Sequence, residues 1–175
     1  SVEELAKKTP RGIVRYRFFF GASTLDEGYP FHQFLSYSMI NSSIMVYAGH
    51  SGLGEYLNLD LIASYSKVYK QLQIAANTER YQIYFFNSCS SYPYYNSQYF
   101  KLKQTPQDPQ GTKNLDIITN GLSTLFSSLT PSTLSLMQAV ELYAMNGTKM
   151  SYQDIINKAN SDNLISISGD KDNSR

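Results

Sequence analysis

Two short apolar runs constrain the fold of this 175-residue chain more than any other feature. The first, Ile44-Met45-Val46-Tyr47-Ala48, ends at Gly49-His50-Ser51-Gly52. The second, Tyr81-Gln82-Ile83-Tyr84-Phe85-Phe86, ends at Asn87-Ser88-Cys89-Ser90-Ser91. Both are β-branched or aromatic and stop at small polar residues, the pattern of a buried parallel strand that runs into a loop. Between them Leu61, Ile62, Tyr65, Val68, Tyr69 and Leu72 recur at helical spacing, with Asp60 placed as the N-cap. Strand, helix and strand form a crossover unit, and a right-handed crossover leaves the two strands parallel. His50 and Cys89, the single cysteine, then fall on one edge of the sheet, where open α/β folds carry their chemistry.

The remaining elements follow in order. Residues 1–9 read as a short polar helix or linker end, stopped by Pro10. Ile13 to Phe20 becomes fully apolar before Gly21 and is expected as a central strand. Gly28 to Pro30 reads as a turn, and Phe31, Phe34, Leu35, Ser38 and Met39 then mark a short helix packed on the sheet. After Cys89 the composition shifts. Ser90 to Gly111, with Tyr92, Tyr94, Tyr95 and three prolines, reads as a long loop walling a substrate groove and more mobile than the strands.

Leu115 to Thr119 is a further strand, closed by Asn120-Gly121. Thr130 caps a helix with Pro131 at its first position, Leu134, Met137, Tyr143 and Ala144 on its apolar side, and Gly147 as its stop. Ser151 and Asp154 form a capping box for a last helix through Ile155, Ile156 and Ala159. Leu164 to Ile167 adds an edge strand, and 169–175 is a flexible, solvated tail. The expected architecture is a single α/β domain over 1–175, a three-layer sandwich around a mostly parallel central sheet. The chain opens on Ser1 without an initiator Met, which is compatible with a fragment of a longer protein.

Composition enters by exclusion. A net charge of +1 with interspersed signs argues against a nucleic-acid or membrane-surface partner, which needs a concentrated basic face. One cysteine excludes an internal disulfide, and two histidines with it leave no zinc cluster to assemble, so no metal or cofactor is expected. No apolar run approaches the roughly 20 residues of a membrane span.

The chemistry rests on His50 and Cys89. A thiol attacks carbonyl carbon as thiolate, and an adjacent imidazole can take its proton and later return it to the leaving amine. Free backbone N–H groups at the same strand ends would hold the oxyanion. Taken singly, a free cysteine is more often a buried core residue, and a strand-end histidine more often a satisfied hydrogen-bonding group. Taken together, the two residues end consecutive apolar strands about one crossover unit apart.

These residues resemble a family, the caspase-like cysteine peptidases that include caspases, legumains, gingipains and clostripain. Tyr47-Ala48-Gly49-His50-Ser51-Gly52 is similar to the strand ending in His-Gly, and Phe85-Phe86-Asn87-Ser88-Cys89-Ser90 to the next strand ending in Cys. The resemblance covers roughly Ile13 to Asn120. It implies a caspase-like fold, Cys89 as nucleophile, His50 as general acid/base, and the backbone N–H groups of Ser51 and Cys89 as oxyanion donors. The implied activity is that of a cysteine endopeptidase on a peptide or protein substrate.

The family's Gly after His is Ser51 here, and the His–Cys gap is shorter than the roughly 50 residues of caspases. A caspase preference for Asp is not implied. The tyrosines Tyr92, Tyr94 and Tyr95 are the groove candidates. A rival non-enzymatic reading makes the same fold a binding or scaffolding module, with Tyr92, Tyr94, Tyr95 and Tyr99 lining a recognition surface. A serine-hydrolase elbow at Gly49-His50-Ser51-Gly52 fails because Leu53 stands where its last glycine belongs, and no histidine follows the serine. A phosphate loop on Gly49, Gly52 and Gly54 fails on spacing.

Overall fold

Large side chains alternate along 82–87 and 115–120, so both faces of the sheet they form must be covered. The computed structural model describes residues 1–64, 72, 75–159 and 165–169. Its main sheet has four strands in the order β3-β4-β5-β6: β3 (Ile44–Ala48), β4 (Gln82–Asn87), β5 (Leu115–Asn120) and β6 (Ile165–Ser168). The first three are parallel, and β6 runs antiparallel at the edge beside β5. The protein is thus mixed α/β with a mostly parallel sheet and packed helices.

One face of the sheet presents Met45, Tyr47, Tyr84, Phe86, Leu115 and Ile117. It packs on α1 (Tyr29–Asn41) through Leu35 and Met39, on α2 (Leu59–Ser64) through Ile62, and on α3 (Ser91–Lys103) through Tyr95 and Tyr99. The other face presents Phe85 and Ile118 to Leu136 and Ala139 of α4 (Phe126–Asn146) and to Ile155 of α5 (Tyr152–Lys158). The capping box that opens α5 is present, with Ser151 and Asp154 bonded reciprocally. Gly147 closes α4 in the left-handed conformation at φ 79°.

Several elements differ from the sequence reading. Residues 1–9 are not a helix. They form β1 (Val2–Thr9), which pairs antiparallel with β2 (Gly12–Phe19) in a separate two-stranded sheet. The 13–20 run is therefore not a central strand of the main sheet. Arg15 and Arg17 alternate with its apolar residues, which fits a strand with one wet face. Its other face is partly packed, Tyr16 Oη donating to Glu141 Oε1 at 3.2 Å and Phe19 stacking on Phe34 at 5.7 Å between centroids. β1 escaped notice because its burial pattern is exposed nearly throughout, so no apolar alternation marks it.

The segment after Cys89 is a helix rather than a long loop. Pro93 falls in the first turn of α3, where backbone N–H groups have no helical partner and proline removes nothing. Residues 105–111 then close as a compact turn, with Asp108 Oδ1 accepting from Gly111 N at 3.0 Å and its Oδ2 from Lys113 N at 2.9 Å. Asn58, not Asp60, caps α2, its Oδ1 accepting from Leu61 N at 2.9 Å. Pro131 lies inside α4, which begins five residues before the expected proline start. Of the expected apolar side Ala144 is buried, whereas Leu134 and Tyr143 are exposed, and Leu129, Ser132, Leu136 and Ala139 complete the buried stripe. The expected helical positions Tyr65, Val68 and Tyr69, the start of the expected edge strand at Leu164, and all but the first residue of the expected tail lie outside the described residues.

Candidate functional site

Parallel pairing brings the C-terminal ends of β3 and β4 together. Ala48 stands opposite Asn87, and the ladder continues one step further through Gly49 N–H to Asn87 O at 3.3 Å. Every pair in this register is offset by the same number of residues as His50 and Cys89. The two side chains therefore leave the sheet at matching positions, two residues beyond the last paired strand residues.

Both reach the segment that links β5 to α4. The backbone N–H of Thr124 donates to Cys89 Sγ at 3.3 Å, and the thiol donates back to Thr124 O at 3.6 Å. The His50 ring meets the Phe126 ring edge-on, with centroids 4.8 Å apart and planes at 85°. Among the described residues no hydrogen bond joins the His50 ring to Cys89 Sγ. Cys89 is partly exposed.

Beyond His50 the chain turns tightly. Gly52, Leu53 and Gly54 all take positive φ, at 58°, 54° and 93°. A Cβ on Gly54 would stand 2.7 Å from the Tyr94 ring, so glycine is required there by both conformation and space. The turn is anchored from three sides. Ser51 O accepts from Gly54 N at 3.0 Å and from Tyr95 Oη at 3.1 Å. Tyr99 Oη donates to Leu57 O at 3.0 Å, and Gln98 Oε1 accepts from Leu59 N at 2.7 Å. Tyr47 Oη donates to His50 O; burial pushes this phenol above its ordinary value, so it remains a donor. His32, fully buried, is 2.8 Å through Nε2 from Tyr56 O.

The nucleophile candidate stands at the start of α3. Ser90, in the left-handed conformation at φ 48°, stands at the N-cap position and donates its N–H to Leu122 O at 2.9 Å. Ser91 is buried, with Oγ donating to Phe86 O at 2.6 Å and accepting from Asn120 N at 2.9 Å. Of the two oxyanion candidates, Ser51 is buried, and among the described residues neither its N–H nor that of Cys89 has an intramolecular acceptor.

The three tyrosine candidates separate. Tyr92 is exposed on the first turn of α3, Tyr94 is half-buried under Gly54, and Tyr95 is wholly buried. Tyr95 is a core residue that holds the turn after His50, not a wall of an open groove. The 105–111 turn, expected to join that wall, lies past the far end of α3, one helix length from Cys89.

Sequence reasoning missed Asn87, Asn120, Thr124 and Phe126. Asn87 and Asn120 are the last residues of β4 and β5, both fully buried, and their amides bond each other at 3.1 Å. A carboxamide ending each of two adjacent apolar strands was the available signal. Thr124 and Phe126 carried none, since their role depends on the path between β5 and α4.

Among the described residues no group of three or more His, Cys, Asp or Glu side chains is placed to hold a metal ion, and no helix is long and apolar enough to cross a membrane. No protein-family model, curated protein or solved structure matches the chain.

Proposed function

We propose that this chain is a cysteine peptidase domain with the three-layer, caspase-like arrangement, in which Cys89 is the nucleophile and His50 the general acid and base. The observation that carries the reading is the shared register of β3 and β4, which delivers an imidazole and the only thiol to matching positions at one sheet edge. His50 takes the thiol proton, Cys89 Sγ attacks the peptide carbonyl carbon, and the carbonyl oxygen becomes an oxyanion. The N–H groups of Ser51 and Cys89 are the donors for that oxygen. His50 then gives its proton to the leaving amine, and water hydrolyses the thioester. Cys89 Sγ is engaged with Thr124 N–H and O, so in this reading the thiol exchanges those contacts for the imidazole when substrate binds.

The test is hydrolysis across peptides that differ at the residue before the scissile bond. Wild type cleaves at least one; Cys89→Ala, Cys89→Ser and His50→Ala lose nearly all activity, and the double mutant is little worse than either single one. Wild type that cleaves none of the panel contradicts the reading.

A second reading, a binding or scaffolding module, is favoured by the same Thr124 contacts, which satisfy the thiol without His50. It requires all these variants to bind a partner alike and to lack hydrolytic activity.

A further inference from the structure

The segment from Leu122 to Phe126 touches both members of the proposed dyad, Thr124 on Cys89 and Phe126 on His50. Its apolar side chains nevertheless face water. Leu122 is 48%, Leu125 71% and Phe126 65% exposed, and Leu53, three residues after His50, is 85% exposed. Leu53 is also held in the left-handed conformation at φ 54°, a position that costs a leucine both hydration and backbone strain.

Isolated surface leucines need no explanation, but four large apolar side chains on the two segments that carry and contact a dyad do. The three segments that leave the sheet at this edge, 49–56, 88–92 and 121–126, hold no lysine or arginine and a single carboxylate, Glu55. A charged substrate side chain would find one countercharge at most. An aliphatic or aromatic one would bury apolar area against Leu125 and Phe126.

Resting on the peptidase reading, we infer that 122–126 is the specificity wall of the site and that it takes a large apolar side chain of the peptide beside the scissile bond. Phe126, in edge-on contact with the His50 ring, and the exposed Leu125 are its apolar contacts, with Leu53, three residues after His50, available to the same side chain.

The inference is tested by binding rather than turnover. Cys89→Ala protein is titrated with labelled alanine peptides carrying one varied residue: Leu, Phe, Asp, Arg or Gly. The Leu and Phe peptides bind at least about tenfold tighter than the others, the scale set by burying one such side chain. Leu125→Ser, at an exposed position, narrows that gap to about threefold or less without lowering thermal stability. Equal binding of all peptides, or no binding of any up to millimolar concentration, overturns the inference. So does a preference for Arg that Glu55→Gln abolishes. Wild type that cleaves peptides without an apolar preference defeats only the wall. Apolar-selective binding by a wild type that cleaves nothing leaves the wall standing and defeats the peptidase reading.

Discussion

Asn120 donates from Nδ2 to Asn87 Oδ1 at 3.1 Å, joining the ends of two parallel strands two residues before Cys89. The same amide reaches Ser88 O at 3.2 Å and Thr124 Oγ1 at 2.9 Å. Asn87 in turn donates to Leu129 O at 2.9 Å in α4. One buried carboxamide thus ties β4, the turn into α3 and the Thr124 segment together. Asn120→Ala strands these acceptors in a buried site and should cost about 2–4 kcal/mol. Chemical denaturation should show a lower midpoint at unchanged slope. A loss under about 0.5 kcal/mol would mean the network is not structural.

The turn after His50 makes two opposite forecasts for adjacent residues. Gly54→Ala forces a Cβ into the Tyr94 ring at φ 93° and should destabilise by at least about 1–2 kcal/mol. Leu53→Gly relieves about 1–2 kcal/mol of left-handed strain against about 0.5–1 kcal/mol of added unfolded-chain entropy. It should therefore leave stability unchanged or slightly higher, despite removing a leucine. Thermal melts of both variants check the pair; a clearly destabilised Leu53→Gly would show that Leu53 packs rather than waits for a ligand.

His32 makes stability depend on pH. Burial holds its pKa below the ordinary 6.5, an effect only partly opposed by hydrogen bonds to the carbonyls of Tyr56 and Gly28. The unfolded chain therefore binds a proton at a higher pH than the folded one. Stability that rests on neutral His32 is complete above pH 6.5, falls as pH drops through that value, and levels off below the folded pKa. The stability difference between wild type and His32→Gln should shrink on acidification. A difference that stays constant from about pH 7.5 to 5 would contradict the burial argument. Because His32 bonds Tyr56 O, hydrogen-exchange protection factors in 51–56, corrected for the intrinsic rate at each pH, should fall over the same range.

The main sheet was legible because β3, β4 and β5 are apolar runs ended by small polar residues, and a strand buried on both faces leaves that trace in any context. The matching positions of His50 and Cys89 followed from the same runs. The hairpin of β1 and β2 was not legible in full, since β1 is exposed almost throughout and takes its form from pairing with β2. α3 was hidden by Pro93, which reads as a loop marker unless the helix start is already known. Thr124 and Phe126 meet the site only because of the path from β5 to α4, a tertiary fact with no local pattern.

The central claim is that His50 acts on the Cys89 thiol. Because Cys89 is the only cysteine, its alkylation by iodoacetamide at neutral pH can be followed by intact mass without ambiguity. If His50 takes the thiol proton, wild type should react at least about tenfold faster than a free cysteine derivative. His50→Ala should lose that excess while keeping its fold by circular dichroism. Wild type that reacts no faster than the free thiol, with His50→Ala reacting at the same rate, would contradict the account.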